Sequence, residues 1–247
     1  MPRTDVTVAT DDGACPATLH TPSSNGSRPA VIVYPDAGGV RETFEAMADR
    51  LAELGYTVLL PNVYYRSGEY APFDIATVFS DPAERQRLMG LVGTLTADAV
   101  VRDAGAFLGF LAGRPEVSGT GVGTTGYCMG GRISLIVAGH YPDRIAAAAS
   151  FHGGRLAAVD DPDSPHLLAD RMRATLHVAG AENDDSFPPD QYERLERALT
   201  AAGVSYTMDT YKAAHGFAVP DNTTYDAAAA ERHWSALADL YAGSLSG

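Results

Sequence analysis

From Ala30 onward, short apolar runs of strand length alternate with helix-length segments along almost the whole chain, beginning with Ala30 to Tyr34. A strand that is apolar at successive positions must be buried on both faces, as in a parallel sheet covered by helices. The reading proceeds as a helix near Thr43 to Leu54 stopped by Gly55, then a strand over Thr57 to Leu60 stopped by Pro61. An irregular stretch from Asn62 to Ser80 holds Tyr64, Tyr65, Tyr70, Phe73 and Phe79. A polar helix follows Asp81-Pro82, and a second helix covers Ala97 to Ala112. Strands are expected at Val122 to Thr125, Ile145 to Ser150, Thr175 to Ala179 and Ser205 to Tyr211. Helices are expected at Gly131 to Ala138, Gln191 to Ala202 and Tyr225 to Leu240. Ahead of this series, Val6 to Thr10 and Cys15 to Leu19 flank Asp11-Asp12-Gly13 as an antiparallel hairpin. The expected class is α/β: one domain over residues 1–247, a mostly parallel, doubly wound sheet with an N-terminal hairpin and helices on both faces.

The bulk properties narrow the function. With 31 Asp and Glu against 18 Lys and Arg, the formal charge of −13 argues against nucleic acid, which binds basic surfaces. No apolar run approaches the roughly 18 residues of a membrane span, and Met1 to Asp5 acquires charge too early for a secretory leader. Two cysteines so far apart make no disulfide framework. The expectation is a cytoplasmic monomer or homodimer acting on a small molecule, without nucleic acid or membrane partners.

In a sheet of this kind, ligands bind beyond the carboxyl ends of the strands. After the strand at Val122 to Thr125 the chain reads Gly126-Tyr127-Cys128-Met129-Gly130-Gly131. Gly-x-Cys-x-Gly between a strand and a helix is the cysteine form of a nucleophile elbow. The turn is so tight that side chains two residues either way would clash, and the helix start favours a thiolate. Such an elbow needs an acid after a later strand and a histidine after the last. Asp184 and Asp185 follow one strand, and His215 follows the final one. The histidine would carry the thiol proton while the acid fixes its tautomer. Backbone N–H groups of Met129 and of Ala37, in the loop Pro35-Asp36-Ala37-Gly38-Gly39, are the expected oxyanion donors. His152 follows a strand and should form pocket wall; Tyr64 and Phe217 are further candidates for substrate contact. No histidine pair has helix-face ligand spacing, so neither metal nor cofactor is expected.

Together these residues resemble the dienelactone hydrolase family of the α/β-hydrolases. The resemblance runs from about Ala30 to Leu240 and rests on residues 126–131, 61–66 and 84–87, on Asp184 with Phe187-Pro188, and on residues 214–218. It implies the α/β-hydrolase fold and a triad of Cys128, Asp184 and His215, with Pro188 selecting Asp184 over Asp185. It implies cleavage of a small ester or lactone through a thioester. It further implies that Asp36, where founding members carry glutamate, holds the resting thiol, and that Arg87 clamps a substrate carboxylate. A second clamping arginine would fall at Val219; Arg41, Arg66 and Arg155 are the other cations that could stand in. The rival readings are a non-catalytic small-molecule binding protein of the same fold and a thiol redox protein, the latter needing a second thiol near Cys128.

Overall fold

The chain doubles back at Asp11-Asp12, pairing β1 (Arg3–Thr10) with β2 (Gly13–His20) antiparallel, Thr10 opposite Gly13. The computed structural model describes residues 1–245. β3 (Arg28–Tyr34) carries the first apolar run, and its residues alternate between faces: Ile32 and Tyr34 enter one core, Val31 and Val33 the other. Two-sided burial is why this strand has no polar face.

The elements α1 (Glu42–Glu53), β4 (Thr57–Pro61), α2 (Pro82–Val92), α3 (Ala97–Ala112), β5 (Val117–Tyr127) and α4 (Met129–His140) follow in the order read from the sequence. So do β6 (Ile145–Phe151), β7 (Thr175–Ala181), α5 (Pro189–Ala202), β8 (Tyr206–Tyr211) and α6 (Ala227–Ser244). The eight strands lie in the order β1-β2-β4-β3-β5-β6-β7-β8. β1 with β2 and β2 with β4 are antiparallel, and every later pairing is parallel. One core packs α3, α4 and α5 against the sheet, while α1 and α6 close the other face. Helix starts are set locally. Asp81 accepts from the amides of Ala83 and Glu84 ahead of Pro82, Thr96 from Ala99, and Asp226 from Ala229.

One difference from the sequence reading bears on the site. α4 begins at Met129 rather than Gly131, so Cys128 itself is its N-cap residue. The aromatic stretch is largely packing, with Tyr64 edge-on to Tyr70 and Tyr70 against Phe73. Only Phe79 from that stretch lines the main cavity. Among the described residues no helix is long and apolar enough to cross a membrane.

Candidate active site

The six parallel strands, β3 to β8, end at the same edge of the sheet, and Ala37, Cys128, Asp184 and His215 sit just past four of those ends. Cys128 follows β5 at φ 55° and ψ −117°, a left-handed conformation that costs a non-glycine residue on the order of 1–3 kcal/mol. The flanking glycines show what this turn requires. A Cβ on Gly126 would overlap the Gly130 carbonyl, and one on Gly130 would overlap the backbone of Tyr34 and Pro35. The elbow therefore lies directly against the loop that follows β3. The strained backbone lifts Cys128 into a cavity of about 990 Å³ that it shares with Ala37, Met129, Asp184 and His215.

The acid and the histidine meet as the chain order suggests. Asp184 Oδ2 lies 2.7 Å from His215 Nδ1, leaving Nε2 as the ring nitrogen available to the sulfur. The other carboxylate oxygen accepts from the Ser186 amide at 2.9 Å and from Ser186 Oγ at 2.6 Å. Burial works against the Asp184 charge, but the bonds to His215 and Ser186 outweigh it and hold the carboxyl below its ordinary range. Burial likewise opposes an imidazolium at His215. The hydrogen bond to Asp184, then the interaction with Cys128, reverse that and push the ring up to about 10. Asp185 lines the cavity and has no hydrogen bond to His215. Cys15 lies fully buried in β2, away from the cavity lining, its thiol pushed up to about 12 by burial. It is no resolving partner for Cys128.

The loop after β3 is fixed from two sides. Tyr64 Oη donates to the Ala37 carbonyl at 2.8 Å, which fixes the Ala37–Gly38 peptide, next to the one that carries the Ala37 N–H. Asp36 does not hold the thiol. Its two oxygens accept from Arg41 Nη1 at 2.7 Å and Nη2 at 2.9 Å, and Oδ1 also takes the Gly38 amide. Arg41 in turn donates to Asp221 at 2.6 and 2.8 Å. The guanidinium thus ties the oxyanion loop to the loop beyond His215. A carboxylate with both oxygens committed to an arginine fork has little reason to turn toward a sulfur.

The other expected substrate contacts are corrected as well. Arg87 is outside the cavity: it pairs with Glu84 at 2.6 Å, donates to the Ala71 carbonyl and lies over the Phe73 ring. Tyr64 is fully buried behind the oxyanion loop. His152 and Phe217 are buried behind His215, the His152 ring edge-on to both at 5.1 and 5.0 Å. Burial keeps His152 well below the ordinary histidine range, hence neutral. Val219 belongs to the core under α1 and α6. One residue escaped the sequence reading and another has a different role from the one considered for it. Ser186 was signalled by Asp184-Asp185-Ser186, the spacing at which an aspartate turns back onto the amide two residues on. Arg41 was weighed as a substrate clamp, and its loop-tying role carried no local signal. Among the described residues no group of three or more His, Cys, Asp or Glu is placed to hold a metal ion.

Comparison with known proteins agrees with this architecture. The model of the dienelactone hydrolase family matches residues 15–244. A Methylorubrum extorquens protein named "Putative carboxymethylenebutenolidase" is 29% identical over 242 residues, covering 96% of this chain and 79% of its own length. A crystal structure described as a "Putative Dienelactone Hydrolase" from Klebsiella pneumoniae superposes with a TM-score of 0.84 at 24% identity, covering 98% of each chain. A dienelactone hydrolase-like promiscuous phosphotriesterase from metagenomic libraries superposes with a TM-score of 0.80 at 25% identity, over 100% of both chains. The fold is the α/β-hydrolase fold expected from the sequence.

Proposed function

Because this chain belongs to the dienelactone hydrolase family, and is with it a hydrolase of esters or lactones, we propose that it works through Cys128, His215 and Asp184 by way of a thioester. What carries the reading is the 2.7 Å bond from His215 to Asp184 in the cavity that also receives the strained elbow cysteine. A small ester or lactone carbonyl enters beside Cys128, and the sulfur attacks it, forming the C–S bond. Negative charge develops on the carbonyl oxygen and is met by the N–H groups of Met129 and Ala37, helped by the positive end of α4. Collapse breaks the C–O bond as His215 Nε2 gives its proton to the leaving alkoxide, leaving an acyl thioester. A water molecule then attacks the thioester, giving its proton to Nε2, and the C–S bond breaks to release the acid. Asp184 keeps the ring oriented and stabilises the imidazolium throughout.

The test is hydrolysis of 4-nitrophenyl acetate by wild type and by Cys128→Ala, with folding checked by circular dichroism. Turnover should vanish in a folded Cys128→Ala protein, and brief reaction of wild type with iodoacetamide should abolish it too. Wild-type turnover in the alanine variant would refute the assignment.

A further inference from the structure

The cavity has a charge pattern and a shape that together restrict what it can bind. Every cation near it is already engaged. Arg132 donates to the carbonyls of Arg155 and Asp163 and pairs with Asp161 at 3.0 Å. Arg155 pairs with Asp160 at 3.1 Å. Arg41 is held between Asp36 and Asp221, and Arg66 between Asp12 and Asp103. Asp163 and Asp185 add negative charge to the wall itself. A carboxylate entering here would lose its hydration without an unpaired guanidinium to meet it.

The shape adds a second constraint. Met129, Arg132, Ile133 and Ile136 all line the cavity from α4. Their spacing of i, i+3, i+4 and i+7 is one face of a helix, so the cavity follows α4 for two turns, roughly 10 Å, from the nucleophile. Val92, Leu95 and Val100, from the end of α2 into α3, line the same space. At its rim stand Phe79 and Met89, which are 58% and 51% exposed although both are large and apolar. Exposed apolar side chains around a concave apolar trench mark a site for an apolar ligand.

We propose that the substrate is an uncharged ester or lactone with an apolar arm of roughly six or more carbons lying along the α4 face, and that substrates ending in a carboxylate are refused. This inference rests on the hydrolase reading above and names its substrate class. The arm buries apolar surface between α4 and the α2–α3 corner, and that gain grows with each methylene.

The experiment compares three 4-nitrophenyl esters: the acetate, the hexanoate and the mono-ester of hexanedioic acid. The last has the hexanoate's length with a terminal carboxylate. For wild type, kcat/KM should rise at least tenfold from acetate to hexanoate and fall about a hundredfold from hexanoate to the hexanedioate mono-ester. Met89→Lys, at an exposed rim position, places an ammonium at the mouth and should narrow the second ratio several-fold. Binding of ethyl hexanoate and monoethyl hexanedioate to Cys128→Ala by calorimetry gives a readout independent of turnover, with the neutral ester at least tenfold tighter. Equal or better use of the carboxylated ester, or equal binding of the two, overturns the inference. Selective binding without any ester turnover would overturn the hydrolase reading and leave the ligand class standing.

Discussion

Asp184→Asn exchanges one oxygen for an NH2 group, and Ser186 decides which one. The Ser186 amide can only donate, and it points at Asp184 Oδ1 from 2.9 Å with the serine hydroxyl alongside at 2.6 Å. An asparagine must keep its single acceptor oxygen there. Its NH2 then faces His215 Nδ1, 2.7 Å away. A donor at that point turns Nδ1 into an acceptor and leaves the ring proton on Nε2, facing Cys128, so the imidazole can no longer take the thiol proton. A charge-assisted bond contributes about 1.5–3 kcal/mol. The wrong tautomer costs more, since the same change in a serine-protease triad lowers kcat about 10⁴-fold. For nitrophenyl acetate we expect kcat to fall 10³- to 10⁴-fold, with KM changed only a few-fold. The pH profile of iodoacetamide alkylation supplies a second readout. In wild type His215 is raised to about 10 by Asp184 and Cys128, and the ring should assist alkylation of the sulfur at and below neutrality. In the variant the rate should climb with pH as for a free thiol, near pH 8.5. Asp185→Asn, which leaves the Asp184–His215 bond in place, should stay within about threefold of wild type, well inside the loss set by a tautomer change. An Asp184→Asn enzyme within tenfold of wild type with an unchanged alkylation profile would refute this reasoning. So would an equal loss at Asp185.

Arg41→Met removes both guanidinium bonds from the buried Asp36, leaving it the Gly38 amide, and should lower stability by about 3 kcal/mol in urea unfolding, with Asp36→Asn in the same chain recovering part of it. No recovery would mean that the Asp36 charge is not what Arg41 neutralises. A second expectation concerns acid. His152, His177 and His233 are buried and their pKa values are lowered by burial, His233 to about 3. Groups depressed in the folded state stabilise it above the unfolded value near 6.5. Tm should therefore decline as pH falls from about 6.5 toward 3, more shallowly in His233→Phe; an identical slope in the variant would remove His233 from the account.

The catalytic candidates were legible because the fold converts chain order into position. A residue just past the end of a parallel strand is delivered to one edge of the sheet, so Cys128, Asp184, His215 and Ala37 could be found by counting strands. Orientation was not legible in the same way. Tyr64, His152 and Phe217 lie in the right segments, yet their side chains turn into the interior. Loops after strands have no period from which a facing direction could be read. Arg87 shows a different limit. Glu84 three residues before it was a visible helix-face partner, and the segment that supplies Ala71, Pro72 and Phe73 as its remaining contacts is irregular.

Arg41 changes how the resting nucleophile is controlled. If Asp36 were free to accept from the Cys128 thiol, the sulfur would rest protonated until a substrate displaced the carboxylate. Both Asp36 oxygens are instead bound to a guanidinium that a second carboxylate, Asp221, also grips. Freeing Asp36 would mean breaking at least two charge-assisted bonds in a largely buried setting, at a cost of several kcal/mol that substrate binding would have to offset. The proton on the sulfur is then governed by His215, whose raised affinity for a proton follows from Asp184 on one side and Cys128 on the other. In the proposed mechanism the elbow cysteine therefore gives its proton to His215 and not to Asp36. The same chain lacks an unpaired cation to bind a substrate carboxylate among the residues lining its cavity. Two observations thus point the same way: Arg41 occupies Asp36, and each arginine that lines the cavity is paired with an aspartate.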